Sequence, residues 1–347
     1  MININRVIFL LLSLLTLFFL MYKLFEPFLL SLFVALLLAI STNAIRVKIA
    51  NKLQNKTIVT LTMTTLLFAL FFSPLLYFVI KIVDILKDIN QDIIINFYNQ
   101  FIAVIKDISN LKDTTSSSVI NFFDAIDIKS LLEGSLKTGS KIGLNTAGFI
   151  INLVFIIIFY TIFVFYSQDL ISYLKSFVPI AKIEKDELFG GLSDTMGVVF
   201  YSILSTAIIE GILFGFFISS FGYDGVLFGV LYGFASLIPI IGGAIMWVPF
   251  VIVEVAAGNY MSALYIAMYS IIVISIFADT ILKPLIIKYI NHNIVKKPTK
   301  INELVVFFSI VAGLGAFGFW GMIIGPALVT IFLLILDIII NKNKEVS

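Results

Sequence analysis

Glu210 stands in the middle of an apolar stretch, with Thr206 and Ser202 four and eight residues before it. On a helix these three residues share one face. A carboxyl group at membrane depth is costly and marks a functional position unless it fastens helices together. Desolvation raises its pKa, so it can take up a proton. With hydroxyl oxygens beside it, it can also receive a cation. Coupling to protons or sodium requires both capacities. The competing reading is a protonated or hydrogen-bonded carboxyl whose role is structural. Between 195 and 282 there is no Lys or Arg, and the other charges are Asp224, Glu254 and Asp279. Asp279 precedes Lys283 by four residues, a spacing that suits a helical ion pair.

Little else in the chain offers reactive chemistry. There is no Cys, and His292 is the single His. That excludes a disulfide framework, a thiolate metal site and a His-pair zinc site. No HExxH, GxSxG or P-loop pattern occurs. The expectation is a protein that is not an enzyme, binds no metal or cofactor, and draws any pumping energy from an ion gradient.

The elements that must position Glu210 are membrane segments. The chain is 60% hydrophobic and 13% charged, with a mean hydropathy of +1.10; a soluble domain carries about 25% charged residues. A net charge of +2 argues against a nucleic-acid partner. The reading is an all-α polytopic membrane protein with about eight membrane segments, two of them broken or hairpin-like, plus an amphipathic helical module outside the membrane.

Three regions follow: anchor helices over 1–80, the amphipathic module over 81–141, and a transport core over 142–347. Residues 7–22 and 27–41 read as a helical hairpin of anchors, with no small-residue cleavage site after the first. The short loop 42–56 carries Arg46, Lys48, Lys52 and Lys56 and no acid, which marks the cytoplasmic side. A third span covers 57–80. In 81–141, Ile82, Ile85, Leu86, Ile89 and Ile93 recur at helical spacing opposite Asp84, Lys87, Asp88 and Gln91. A fourth span covers 142–167. Pro179 divides the polar stretch 169–194 into an interfacial helix and a helix leading into a fifth span, 195–221.

The run 225–257 would be about 50 Å long as one helix, against a hydrocarbon core of about 30 Å. Pro239, Gly242 and Gly243 interrupt it at its middle. It reads either as a kinked, tilted helix or as a hairpin with its tip near the midplane. Loop charge favours the hairpin: only then does the loop 283–302, with Lys283, Lys288, Lys296, Lys297 and Lys300, follow the span 261–282 on the cytoplasmic side. The run 303–338 has the same character, interrupted by Gly313, Gly315, Gly318, Gly321, Gly325 and Pro326. Small residues four apart, Gly211 with Gly215 and Gly225 with Gly229 and Gly233, are spaced for helix packing. The expected topology puts both termini, 42–56, 169–194 and 283–302 in the cytoplasm, and 81–141 and 258–260 outside. The protein would then be a multi-pass protein of the plasma (inner) membrane, with the lipid bilayer as a partner. Candidate coupling and pathway residues are Glu210, Thr206, Asp279, Ser236, Pro239, Gly242, Gly243, Gly318, Gly321 and Pro326.

Three motifs resemble those of the autoinducer-2 exporter family. They are Ser236-Leu-Ile-Pro-Ile-Ile-Gly-Gly243 with Trp247-Val-Pro249, then Asp279-Thr-Ile-Leu-Lys-Pro284, then Ser309-Ile-Val-Ala-Gly-Leu-Gly-Ala-Phe-Gly-Phe-Trp-Gly-Met-Ile-Ile-Gly-Pro326. Phe177-Val-Pro179 precedes them at the matching distance. The match spans about 170–338, and the N-terminal half agrees in layout. Where the family commonly has His-Pro or Asn-Pro after the basic loop, this chain has Ile301-Asn302-Glu303-Leu304. The resemblance implies a multispan transporter or exporter that forms homo-oligomers. Three classes stand open: a secondary exporter of a small polar organic molecule such as an autoinducer-2-type signal, a sodium(cation)/proton antiporter, and a non-transporting scaffold built around 81–141.

Overall fold

The structure is a computed structural model that describes residues 4–88, 139–238, 242–293 and 302–346. Every regular element among them is a helix. Six helical stretches are long and apolar enough to cross a membrane, and two shorter apolar helices accompany them.

The N-terminal region comprises α1 (Ile4–Phe25), a 3-10 bend at Glu26–Phe28, α2 (Leu29–Ser41) and α3 (Asn43–Leu53). Here the structure corrects the sequence reading. The Glu26-Pro27-Phe28 bend keeps the backbone right-handed throughout, so α1 runs on into α2 and the two do not pack side by side as an anchor hairpin. The side chains of α1 are exposed apolar groups over nearly its whole length. Left-handed Gln54 ends α3, and the Asn55 side chain caps α4 (Lys56–Leu67) by accepting from the N–H groups of Thr57 and Ile58. A five-residue π-helical turn, Phe68–Phe72, leads into α5 (Ser73–Asp88). Most of the expected 81–141 module lies outside the described residues.

The core begins with α6 (Gly139–Phe165) and the short α7 (Ser167–Phe177). Next comes α8 (Lys182–Ser219), about 57 Å long by its helical rise. It is the central post, packed by α2, α3, α9, α12 and α14. The run 225–257 forms α9 (Gly225–Ala235) and α10 (Gly242–Ala256). At about 16 and 22 Å, neither spans the hydrocarbon core. The ends of the two arms meet: the Tyr223 hydroxyl donates to Glu254 Oε1 at 2.8 Å, and the Phe228 and Phe250 rings lie 4.8 Å apart. The run is therefore a hairpin that reverses between Ser236 and Gly242. Pro239 lies outside the described residues. The second broken run forms α13 (Glu303–Phe317), a 3-10 turn at Gly318–Trp320 and α14 (Gly321–Val346). Gly318 has φ +62, a conformation side chains rarely adopt, which lets the chain reverse there. Gly313 then faces Gly321, and Gly325 faces Ser309, so closely that a Cβ on any of these glycines would overlap the opposite backbone.

Between the hairpins, α11 (Tyr260–Tyr269) passes into a thirteen-residue π-helical segment, Ser270–Leu282, and then α12 (Lys283–Asn293). The expected loop 283–302 thus begins as helix. Its end lies beside α3, where Lys48 Nζ donates to the Asn293 carbonyl. Lys56 reaches Asp169 at 3.5 Å, tying the start of α4 to α7. The basic loop 42–56, the start of 169–194 and the end of α12 therefore gather at one end of the molecule. The turn 257–259 lies at the other, beside Tyr223: the Asn259 amide donates to Glu254 Oε2 at 3.0 Å.

Candidate functional site

The register of α9 along α8 fixes the depth of the first tip. Gly215 faces Gly225, Gly211 faces Gly229, and Ala207 faces Gly233, so α9 runs antiparallel to α8 from its Ser219 end toward its middle. A Cβ on Gly211 would lie 2.6 Å from the Gly229 carbonyl oxygen. The glycines permit this approach, as their spacing predicts. The tip, with Ser236, arrives level with residues 202–206. Ser236 spends its hydroxyl on the Gly233 carbonyl at 3.0 Å. Gly242 abuts the Ala235 carbonyl so tightly that a Cβ would overlap it, and Gly243 faces the Tyr232 hydroxyl. Both glycines close the tip. The second hairpin approaches from the other end. Leu334 of α14 rests on Gly191, while Met322 and Ile323 share a cavity wall with Val199, Phe200 and Ile203. Gly318, Gly321 and Pro326 therefore lie around or just beyond the second tip. Two hairpin tips from opposite ends thus meet α8 near its middle.

Ser202, Thr206, Glu210, Leu213 and Phe217 fall within an arc of about 80° on α8. Tyr269 identifies what this arc faces: its ring stacks on Phe217 at 3.8 Å, and its hydroxyl donates to the Leu213 carbonyl at 3.2 Å. Further along, Ile290 of α12 joins the core cluster of Leu192 and Met196. The π-helical segment between Tyr269 and Ile290 thus lies along the Ser202–Thr206–Glu210 face. Glu210 is 6% exposed and Ser202 8%. The Ser202 and Thr206 hydroxyl oxygens are buried with no hydrogen-bond partner among the described residues, and so is that of Ser270, which opens the π-helical segment. An oxygen-rich patch with one carboxylate and unspent hydroxyls is chemistry for a proton or a hard cation. Among the described residues there is no cluster of three metal-ligating side chains. Asp279 belongs to the π-helical segment by its backbone, and its side chain lies outside what the structure describes. π-helical turns recur at functional sites because they re-aim side chains and disturb the carbonyl ladder.

A cavity of about 600 Å³ lies on the other side of α8, between α5, α8, α9 and α14. Its walls are glycine, Ile208, Ile212, Phe216 and Val226, and it reaches neither Ser202, Thr206 nor Glu210. Glu210 and the Ser202 and Thr206 hydroxyls therefore lie apart from this cavity.

A sequence profile described as "AI-2E family transporter" matches residues 7–341. The chain belongs to the AI-2E transporter family. A relative from Helicobacter pylori (strain ATCC 700392 / 26695), named "Putative transport protein", is 30% identical over 324 residues, 93% of each chain. Proteins of the same designation from Treponema pallidum and Methanocaldococcus jannaschii match at 26% and 28%. Those matches cover 52% of this chain in each case and 43% and 53% of the relatives. The protein is thus a multi-pass membrane transport protein, and the family match runs beyond the motif-bearing half into α1 and α2.

Within that family frame, two polar groups on this chain escape sequence reasoning. Ser270 carries no charge and sits in an unbroken apolar run, so only its burial identifies it. Glu254, which the sequence shows only as one of the few charges between 195 and 282, has both oxygens satisfied, by Tyr223 and Asn259. Burial, then the Glu254 carboxylate, push the Tyr223 phenol up to about 12. It therefore remains a donor throughout the physiological range. This is a latch at the open end of the first hairpin.

Proposed function

We propose that this protein is an ion-coupled secondary transporter that exports a small polar organic solute, with Glu210 as the coupling group. The observation that carries the reading is the buried Glu210 carboxyl beside the unspent hydroxyls of Ser202 and Thr206, on the face of α8 turned toward a π-helical segment. A proton or sodium ion bound there changes the charge at the level where the two hairpin tips meet α8. Half-helices meeting near the midplane are the general architecture of alternating-access sites. The gathering of the basic loop 42–56 and the end of α12 at one end supports a cytoplasmic location for that end, in the plasma membrane. The absence of Lys and Arg between 195 and 282 favours a second reading, sodium/proton exchange at the same carboxyl.

Flux in proteoliposomes under an imposed pH gradient tests the proposal, with an autoinducer-2-type furanone and sodium compared as solutes. Export expects gradient-driven furanone flux. Sodium flux alone selects exchange, and no flux of either kind returns the chain to a scaffold role.

A further inference from the structure

Arg46 differs from the other cations of its loop. Lys48, Lys52 and Lys56 are exposed, while Arg46 is largely withdrawn from solvent in the first turns of α3. Its Nε and Nη2 both donate to Asn43 Oδ1, at 3.1 and 3.0 Å. Asn43 is itself held: its amide donates to Ser193 Oγ at 3.4 Å, and Ser193 Oγ donates to the Ile40 carbonyl at 3.2 Å. The guanidinium is thus fixed in orientation by a relay anchored on α8 and on the end of α2. Beside it, the Thr42 and Tyr160 hydroxyls are 3.0 Å apart and engaged with each other. Among the described residues Arg46 makes no ion pair. Burial lowers its pKa from the ordinary value, as expected of a cation stripped of part of its water. A guanidinium has five N–H donors. Asn43 occupies the Nε edge, which leaves Nη1 and the second Nη2 proton side by side, the pair that a carboxylate or phosphate bridges with two parallel bonds.

We infer that Arg46, oriented by Asn43, is an oxyanion-binding residue at the basic end of the molecule, for a carboxylate or phosphate group. Two sources supply that chemistry, a soluble anion or the headgroup of an anionic lipid. Binding there is independent of Glu210, so it stands or falls separately from ion coupling.

The test uses the full-length protein in phosphatidylcholine nanodiscs, titrated with inorganic phosphate by calorimetry. A parallel arm replaces part of the lipid with phosphatidylglycerol, omits phosphate and follows thermal unfolding. Phosphate binding that weakens about tenfold or more in Arg46→Gln, the scale of a charge-assisted bidentate contact, supports a soluble anion. Stabilisation by phosphatidylglycerol that Arg46→Gln loses supports a lipid headgroup. Asn43→Asp provides a second variant with Arg46 intact. Its carboxylate neutralises the guanidinium in place, so it too should abolish the response. Either signal surviving in both variants, or no response of the wild-type protein to either probe, overturns the inference.

Discussion

The two sides of α8 solve different problems with the same helix. On one side Gly211 and Gly215 let α9 come within backbone contact, and the neighbouring cavity is apolar. On the other, Ser202, Thr206 and Glu210 are buried against a π-helical segment with hydroxyls left over. The first side holds the hairpin at a fixed depth. The second retains polar groups that a purely structural interface would have satisfied or replaced, since a buried unpaired hydroxyl costs about 1–3 kcal/mol. Under the proposed function, stability and ion coupling are divided across one helix, and substitutions should separate them.

The largest effect is expected on the packed side. Gly215→Leu drives a side chain into the Gly225 carbonyl, and neither backbone can yield without separating α8 from α9. Loss of the folded protein in detergent, or a collapse of its unfolding midpoint, checks this by size-exclusion chromatography and thermal denaturation. A Gly215→Leu protein of normal stability would mean that the α8–α9 register is wrong. A middle-sized effect belongs to the latch at the hairpin's open end. Tyr223→Phe leaves Glu254 Oε1 without its donor and should cost about 1–3 kcal/mol in thermal unfolding, with the fold retained. The smallest stability effect is expected on the polar side. Ser202→Ala and Thr206→Val remove hydroxyls that have no partner among the described residues, so stability should hold or rise slightly while ion-driven flux falls. A stability loss comparable to that of Tyr223→Phe would show that these hydroxyls are structural.

Much of this division was legible in the sequence. The glycine spacing encodes the α8–α9 contact directly, because only residues without a side chain allow such an approach. The two hairpins follow from runs too long for one crossing with breakers at their middles, and the Tyr223–Glu254 contact closes the first as loop charge predicted. Glu210 announced itself as the carboxyl in a base-free span. Other features were hidden for physical reasons. The connection at 23–28 is short enough for a hairpin, yet right-handed backbone through Pro27 carries α1 away from α2. The segment 270–282 has no proline or glycine to betray its π-helical winding. Arg46 looked like one more topogenic cation; its withdrawal depends on Asn43 and on Ser193, which is distant in sequence.

Ion coupling in this protein is proposed to turn on Glu210, and the direct measurement is Glu210→Gln in proteoliposomes. Solute and sodium flux are recorded under an imposed pH gradient across a range of pH, beside Glu210→Asp. Glutamine preserves size and hydrogen bonding but cannot carry the charge. The expected result is a protein that assembles and unfolds like the wild type yet loses gradient-driven flux, with aspartate retaining part of it. Full flux with an unchanged pH dependence in Glu210→Gln would contradict the account and leave the carboxyl as a fastening between helices.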